Sequence, residues 1–237
     1  MHRKRWVYDC INSVRIWLYP PTCLLCGAPG AAGLDLCPGC LRALPWNPSA
    51  CDRCAAPLPM PGTCGQCLNH PPAFDAAVTP LLYRPPLDWL VQGFKFNQRL
   101  APGRLLGELL ARHVERHVSA LPELIVPVPL HPARLRERGY NQALELARPL
   151  ARQFGIPLAP GLARRTRATA TQSLLGAEER RRNVRGAFEL IQPLTARHVA
   201  IIDDVIATGS TVGELARLLR RAGAERIEVW AIARAGW

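Results

Sequence analysis

Short apolar runs and amphipathic stretches alternate along the chain from residue 100 to its end. Apolar residues recur at helical spacing in residues 100–118, 141–154 and 212–222. The short apolar runs predict strands at residues 124–130, 186–191, 199–202 and 226–232. Strands that alternate with helices are typical of a mostly parallel sheet with helices on both faces, so we predict an α/β fold.

The first 73 residues follow a different pattern, in which cysteines recur. Eight of the nine cysteines form four Cys-x-x-Cys pairs, which are Cys23/Cys26, Cys37/Cys40, Cys51/Cys54 and Cys64/Cys67. A Cys-x-x-Cys turn directs two thiolates to one point, and structural zinc is held by four such ligands in a tetrahedron. The spacing predicts two structural zinc sites, made either by consecutive pairs or by interleaved pairs. Redox dithiols and buried packing cysteines are weaker alternatives, because four evenly built pairs lie so close together.

Pro71 and Pro72 mark the predicted domain boundary. Residues 1–73 are predicted to form an N-terminal helix and a double zinc-ribbon module, in which metal supplies folding energy that a small core cannot. Residues 74–237 are predicted to form the α/β domain. The basic N-terminus lacks the apolar stretch and cleavage pattern of an export signal, so we expect a cytoplasmic protein with reduced cysteines.

Composition narrows the classes of protein that fit. Hydrophobic residues make up 49% of the chain, which argues against wholesale disorder, and the 23 prolines exclude a coiled coil. No apolar run approaches the ~18–20 residues that a membrane span needs, so no span is expected. Lys and Arg total 30 against 18 Asp and Glu, a formal net charge of +12, and only Lys4 and Lys95 are lysines. This balance favours contact with a polyanion.

Residues 199–211 hold the most informative chemistry. Their apolar run ends in Asp203 and Asp204, and small residues then lead into a predicted helix. The small residues are Ala207, Thr208, Gly209, Ser210 and Thr211. Backbone amides in such a turn bind an anion, and two carboxylates suit vicinal sugar hydroxyls or a hydrated Mg²⁺. The pattern predicts a sugar phosphate at the carboxyl end of a strand. An ordinary helix cap would explain the hydroxyl residues but not the two acids.

Two other segments concentrate positive charge. One follows the predicted strand at 124–130 and contains His131, Arg134, Arg136 and Arg138. Guanidinium groups suit phosphate oxygens, so this basic loop is predicted to bind phosphate. The other, residues 164–185, holds seven arginines with little apolar periodicity and is predicted to form a long mobile loop. For the first segment the alternative is a solvated basic loop. For the second, the alternatives are a disordered surface and an arm that contacts nucleic acid.

These motifs together resemble a known family. Residues 199–211 are similar to the signature of type I phosphoribosyltransferases, and further motifs resemble the ComF family (ComFC/GntX-like, competence-associated). The further motifs are the cysteine pairs and residues 94–96, 126–132, 138–142, 164–172 and 182–188. The resemblance covers nearly the whole chain after residue 20. Ala207 is a small departure, because many relatives carry threonine there.

The resemblance implies a type I phosphoribosyltransferase-like sheet that binds phosphoribosyl pyrophosphate (PRPP) with Mg²⁺. Asp203 and Asp204 are expected to hold the ribose hydroxyls, and residues 207–211 the 5-phosphate. Arg134, Arg136 and His131 are expected to meet the charge that develops on pyrophosphate, and Arg138 is expected to bind in the same segment. The resemblance makes residues 164–185 a flexible catalytic loop that closes over PRPP. Residues 74–97 are the candidate for contacting the acceptor.

Two functions are consistent with these residues. In the first, the protein transfers phosphoribose from PRPP, releases pyrophosphate and works with the competence machinery in DNA uptake. In the second, it is a non-catalytic competence factor that binds single-stranded DNA and senses PRPP or has a repurposed site. Zinc ribbons and a basic surface favour the second function. Both functions are compatible in one chain.

Overall fold

The computed structural model describes residues 20–96, 100–167 and 184–236. Contacts divide the chain into two units, Met1–Leu44 and Pro45–Trp237. The last two cysteine pairs therefore lie in the larger unit together with the sheet, while the domain boundary at residue 73 stays a prediction. The predicted N-terminal helix lies outside the described residues.

Tight turns make up the described part of the smaller unit. Its helix α1 (Pro38–Arg42) starts after Cys37, whose Sγ accepts a hydrogen bond from the Cys40 N–H at 3.4 Å. Leu34, Leu36 and Leu44 are buried. A core this small gives little stability by itself, so a bound metal has a structural task here.

Parallel strands form the centre of the larger unit. In chain order the strands are β1 (Ala76–Val78), β2 (Leu81–Leu82), β3 (Leu124–Pro127), β4 (Ala163–Arg165), β5 (Phe188–Leu190), β6 (His198–Ile206) and β7 (Arg226–Arg234). The main sheet has the order β1–β7–β6–β3, and β2 also pairs with β7. All of these pairs are parallel, whereas β4 and β5 form a separate antiparallel ribbon. The predicted parallel sheet is confirmed.

The two longest strands are apolar because helices cover the sheet. β7 is buried at every position after Arg226, and β6 is buried from Val199 to Ile202. Runs of valine, isoleucine and alanine are typical of parallel strands that are covered on both faces. Both strands extend further than the apolar runs alone predicted, and β6 carries its two acids within the strand.

Helices flank the strands, and the three that the periodicity predicted are found near residues 100–118, 141–154 and 212–222. Those of the larger unit are α2 (Gly65–Asn69), α3 (Leu87–Phe96), α4 (Leu100–His117), α5 (Pro132–Arg138), α6 (Gln142–Phe154) and α7 (Ser210–Arg221). Asn141 caps α6, because its Oδ1 accepts from the Ala143 N–H at 3.0 Å and from the Leu144 N–H at 3.4 Å. Gly107 in α4 lets α6 approach, since a Cβ there would lie 2.6 Å from the Pro149 ring. Within the described residues, no helix has the length and apolarity that crossing a bilayer requires.

The basic segment after β3 differs from the prediction. Residues 132–138 form the short helix α5 and not a loop. His131 caps this helix through Nδ1, which accepts from the Ala133 N–H at 3.3 Å, and Pro132 occupies its first turn. Gly139, at φ +79°, ends it. Because charged residues are so dense in this segment, the sequence pattern did not indicate a capped helix.

The loop predicted at residues 164–185 differs from the structure at its start, because Arg164 and Arg165 belong to strand β4. The ribbon of β4 and β5 pairs Arg165 with Phe188 at its open end. Most of the predicted loop, residues 168–183, lies outside the described residues. Its role as a catalytic loop stays a prediction.

Candidate functional site

Both acids of the sequence motif lie near the carboxyl end of β6. Asp203 is half-buried, and Asp204 is 9% exposed. Each carboxylate uses Oδ1 to accept the N–H of the next residue, at 2.9 Å from Asp204 N and at 2.7 Å from Val205 N. Within the described residues, neither Oδ2 atom has a hydrogen-bond partner. Each acid therefore keeps one oxygen with which to accept from a ligand.

A lysine from α3 provides the counter-charge. Lys95 Nζ lies 3.1 Å from Asp204 Oδ1, and both side chains are mostly buried. Tyr140 holds this end of α3, because its hydroxyl donates to the Phe94 carbonyl and its ring lies 5.5 Å from the Phe94 ring. The sequence analysis assigned no role to Lys95. Its rarity among the 30 basic residues was the available signal.

Burial changes the protonation of Asp203. Burial and the neighbouring Asp204 carboxylate raise the pKa of Asp203 to about 7. The Asp204 N–H, Lys95 and Arg165 lower that pKa but do not cancel the increase. The site therefore favours a ligand that donates hydrogen bonds or brings positive charge.

Arg165 is a second cation that sequence reasoning missed. It lies in β4 with its guanidinium 5.6 Å from the centre of the Phe188 ring. Burial lowers its pKa, the charge of Asp203 raises it, and the charge of Arg134 lowers it. Asp203, Arg134 and Arg165 are thus within electrostatic reach of one another.

The β6–α7 turn (residues 207–211) has the geometry of an anion site. Gly209, at φ +72°, directs the chain into α7, and a side chain is strained in that conformation. Thr208 Oγ1 and Ser210 Oγ lie 2.8 Å apart. The Thr208 hydroxyl accepts the Ser210 N–H at 3.3 Å, whereas no described residue accepts from the amides of Thr208, Gly209 and Thr211. Free amides beside hydroxyls at a helix N-terminus suit a phosphate.

The basic residues around α5 are not gathered on one face. The start of this segment is held beside β6, because Val128 N donates to the Ile202 carbonyl at 2.9 Å. Arg134 pairs with Glu137 at 3.2 Å, and Arg138 donates to Gln142 Oε1 at 3.0 Å. Arg136 is two residues from each and therefore about 200° around the helix. The predicted roles of these arginines and of His131 in binding pyrophosphate stay predictions.

The eight paired cysteines form two groups of four from consecutive pairs. The first cysteine group is Cys23, Cys26, Cys37 and Cys40, and the second is Cys51, Cys54, Cys64 and Cys67. The sulfur atoms of each group lie within 4.8 Å of one another, and one inter-pair S–S distance in each group is 3.7 Å. Zinc with Zn–S bonds of about 2.3 Å requires S–S distances of about 3.8 Å in a tetrahedron. Both groups fit zinc, and the interleaved pairing is excluded.

The second cysteine group is attached to the sheet. Asn47 N donates to the Pro80 carbonyl at 2.9 Å, and Ala77 N of β1 donates to the Asp52 carbonyl at 3.4 Å. At the other side, Arg234 Nε donates to the Cys54 carbonyl at 3.0 Å. Arg234 is a further residue to which the sequence analysis assigned no role, since it lies beyond the strand predicted at 226–232 and in no recognisable motif.

Comparison with known proteins agrees with both parts of the chain. The family model described as a double zinc ribbon domain matches residues 14–68, and the one described as a phosphoribosyl transferase domain matches residues 141–236. These matches confirm the predicted fold class, a phosphoribosyltransferase-like sheet preceded by zinc ribbons.

Similar proteins align over nearly the full chain. DNA utilization protein YhgH of Escherichia coli strain K12 is 40% identical over 225 residues, which cover 91% of this chain and 97% of that protein. The protein of the same name from Salmonella typhimurium is 40% identical over 221 residues, with the same coverage. Competence protein F of Haemophilus influenzae is 41% identical over 208 residues, which cover 84% of this chain and 90% of that protein.

The cysteine groups predict a metal stoichiometry. We expect about two zinc ions per chain, and about one after Cys51→Ser with Cys54→Ser, because each four-thiolate group holds one ion. Elemental analysis of the purified proteins measures this. Cys10→Ser removes the cysteine outside the four pairs and should leave the zinc content unchanged. Two zinc ions in the double variant would contradict the assignment.

The raised pKa of Asp203 predicts a dependence of stability on pH. The folded protein holds a proton on Asp203 up to about pH 7, whereas the ordinary pKa is 3.8. The native state therefore binds more protons in this window, and its free energy of unfolding falls as the pH rises through it. Asp203→Asn removes this loss, so we expect its melting temperature to exceed that of the wild type by a few degrees at about pH 8.

The comparison at low pH tests the cause. At about pH 4 the two proteins should melt at similar temperatures, because the wild-type carboxyl is then protonated. Glu115→Gln changes an exposed acid on α4 and should have little effect at either pH. An equal change for Asp203→Asn at both pH values would show that burial of charge is not responsible.

Proposed function

The chain belongs to the ComF family, alongside DNA utilization protein YhgH and Competence protein F, and on this premise we propose that it binds PRPP at the carboxyl end of β6. The observation that carries the proposal is the junction of two acids with a turn in which the amides of Thr208, Gly209 and Thr211 have no acceptor among the described residues. Asp203 and Asp204 lie at one end of this junction, and residues 207–211 lie at the other. Ligands of open α/β sheets bind at such strand ends.

In this proposal the acids hold the ribose and the turn holds its 5-phosphate. Vicinal hydroxyls donate to the Oδ2 atoms of Asp203 and Asp204, which have no partner among the described residues. The amides of Thr208, Gly209 and Thr211 donate to the phosphate oxygens. Lys95 contacts Asp204 Oδ1, whereas the ribose hydroxyl would use Asp204 Oδ2, so both contacts can form at the same time.

The proposed reaction displaces pyrophosphate from C1 of the ribose. The bond from C1 to the pyrophosphate oxygen breaks, a bond from C1 to the acceptor forms, and the acceptor loses a proton. The protein's contribution is position and charge, because the transition state resembles an oxocarbenium ion next to a departing anion. We assign Arg134 and Arg165 to the departing pyrophosphate. Arg136 and Arg138 lie on the same helix as Arg134, α5, and His131 caps that helix.

The donor set also fits Mg²⁺. Carboxylate oxygens together with substrate phosphates are the ligands that this ion prefers, and the free Oδ2 atoms of Asp203 and Asp204 supply the first kind. When bound, Mg²⁺ neutralises part of the pyrophosphate charge. We assign zinc a structural role only, since the cysteine groups already provide four ligands for each ion.

Ligand-dependent melting tests the PRPP site. With PRPP and Mg²⁺ at about 100 times the dissociation constant, binding adds about 2.7 kcal/mol to the stability and raises the melting temperature by about 5–10 °C. Asp203→Asn with Asp204→Asn should abolish this shift, because both ribose acceptors are altered. Glu115→Gln should retain it. A full shift in the double variant would remove the proposed ribose site.

Catalysis is tested by measuring pyrophosphate release from PRPP with nucleobases, amines and single-stranded DNA as acceptors. Release that depends on an acceptor and is lost in the Asp203→Asn/Asp204→Asn variant supports the transferase. PRPP binding without release with any acceptor supports a sensing site.

A second proposed function is contact with single-stranded DNA during DNA uptake, together with the competence machinery. The formal charge of +12 favours it, as do the names of the two relatives, one a DNA utilization protein and the other a competence protein. The proposal includes a cytoplasmic location, where the cysteine thiolates stay reduced.

Salt dependence tests the contact with DNA. Binding to a single-stranded oligonucleotide should weaken steeply as salt rises, because arginines that neutralise phosphates release counterions, with a logarithmic slope of about −0.7 per contact. The Asp203→Asn/Asp204→Asn variant should bind the oligonucleotide with the wild-type slope, which separates this function from the PRPP site. A flat response to salt, measured by fluorescence anisotropy, would dismiss the polyanion role.

A further inference from the structure

A buried arginine connects the second cysteine group to the β6–α7 turn. Arg234 ends β7 and is 7% exposed. Its Nη1 donates to the carbonyl of Ile206 at 2.8 Å, to that of Ala235 at 2.5 Å, and to that of Ala207. Its Nε donates to the Cys54 carbonyl at 3.0 Å. One guanidinium thus holds the start of the turn and a metal-ligand residue at the same time.

The hydrogen bond from Arg234 to the Ala207 carbonyl fixes the direction of the Thr208 N–H, which is a proposed phosphate donor. A peptide unit is planar and trans, so the carbonyl of Ala207 and the N–H of Thr208 point in opposite directions. When Arg234 binds this carbonyl on one side, the Thr208 N–H is presented on the other side, where no described residue accepts from it. Arg234 therefore acts on the turn without touching the anion.

The contact with Cys54 extends this arrangement to the metal group. Cys54 is one of the four sulfur ligands of the second cysteine group, and the next residue, Ala55, has φ +56° and donates its N–H to the Cys51 carbonyl at 2.9 Å. A metal that holds the Cys51 and Cys54 thiolates fixes this tight turn and with it the Cys54 carbonyl. The guanidinium group of Arg234 is planar and rigid, so a displacement of the Cys54 carbonyl also shifts the hydrogen bonds to the carbonyls of the turn.

One cavity also borders both the second cysteine group and the β6–α7 turn. A cavity of about 610 Å³ is lined by Cys54 and Cys67 of the second cysteine group, by Thr208 and Ser210 of the turn, and by Arg234. The first cysteine group belongs to the other unit of the chain, which makes it an internal reference.

We propose that Arg234 is a positioning residue that couples the second metal group to the β6–α7 turn. Metal in this group strengthens the binding of a sugar phosphate at the turn, and the sugar phosphate in turn slows loss of the metal. The gains in equilibrium binding free energy of the metal and of the sugar phosphate are equal, because coupling between two binding sites is reciprocal. Slower loss of the metal is the expected kinetic sign of its tighter binding. The inference rests on the proposed function of the turn.

Zinc release measures the coupling without an activity assay. A variant with Cys37→Ser and Cys40→Ser keeps only the second group, and one with Cys51→Ser and Cys54→Ser keeps only the first. A chelating dye reports zinc release from each, with and without saturating ribose 5-phosphate. We expect ribose 5-phosphate to slow release from the second group about 5-fold or more and to leave release from the first group unchanged.

Substitutions of two arginines in β7 locate the connection. Arg234→Lys keeps the charge but cannot bridge the same carbonyls, so it should remove most of the slowing and weaken binding of ribose 5-phosphate to the zinc-loaded full chain. Arg226→Met is the matched control. Arg226 lies at the opposite end of the same strand, where it pairs with Glu228 at 2.8 Å, and its loss should leave the slowing intact.

The outcomes separate this inference from the proposed function. If ribose 5-phosphate binds the wild type but does not slow release from the second group, the coupling is wrong and the anion site stands. If slowing persists in Arg234→Lys, the coupling does not run through this residue. If ribose 5-phosphate does not bind the zinc-loaded wild type at all, the anion site itself is overturned. Should Arg234→Lys fail to fold, zinc release from the Cys37→Ser/Cys40→Ser variant, in which Arg234 is unchanged, still decides the coupling.

Discussion

The parallel pairing of β6 with β3 on one side and β7 on the other is the constraint on which the site depends. Backbone hydrogen bonds to both neighbours and burial from Val199 to Ile202 hold this strand in one register. Polar side chains of this strand therefore lie near its ends, with His198 at the amino end and Asp203 and Asp204 near the carboxyl end. The same pairing brings the ends of β3 and β7 to this edge, so that the α5 segment approaches from one neighbour and Arg234 from the other.

Placing two adjacent carboxylates at such an edge has an electrostatic cost, and the surrounding cations offset only part of it. Lys95 contacts Asp204, and Arg165 acts on Asp203 from a separate ribbon, yet the pKa of Asp203 is still raised. Because the pKa of Asp203 is raised, the two acids favour hydroxyl donors or a divalent cation over an anion. The free amides for an anion lie a few residues further along, at the β6–α7 turn. This division between an acidic and an anion-binding end matches the two ends of a phosphorylated pentose.

The two cysteine groups have the same ligands but different structural surroundings. The first belongs to a small unit with few buried leucines, in which metal is the main source of order. The second is attached through Ala77 and Arg234 to β1 and β7. Loss of metal from the two groups therefore has different structural consequences, although the spacing of their cysteines is nearly identical.

The sequence by itself determined the local features, because each of them depends on residues that are neighbours along the chain. The Cys-x-x-Cys pairs, the apolar start of β6, the acids that follow and the glycine of the turn could all be predicted in this way. The arginines of α5 did not indicate a helix, and its cap, His131, and first-turn proline, Pro132, were recognised only in the structure. Only the tertiary structure decided that consecutive cysteine pairs share a site, that Lys95 meets Asp204, and that Arg234 reaches Cys54. Arg234 and Cys54 are 180 positions apart, and a local pattern of polar and apolar residues carries no record of which distant segments the packing of a sheet brings together.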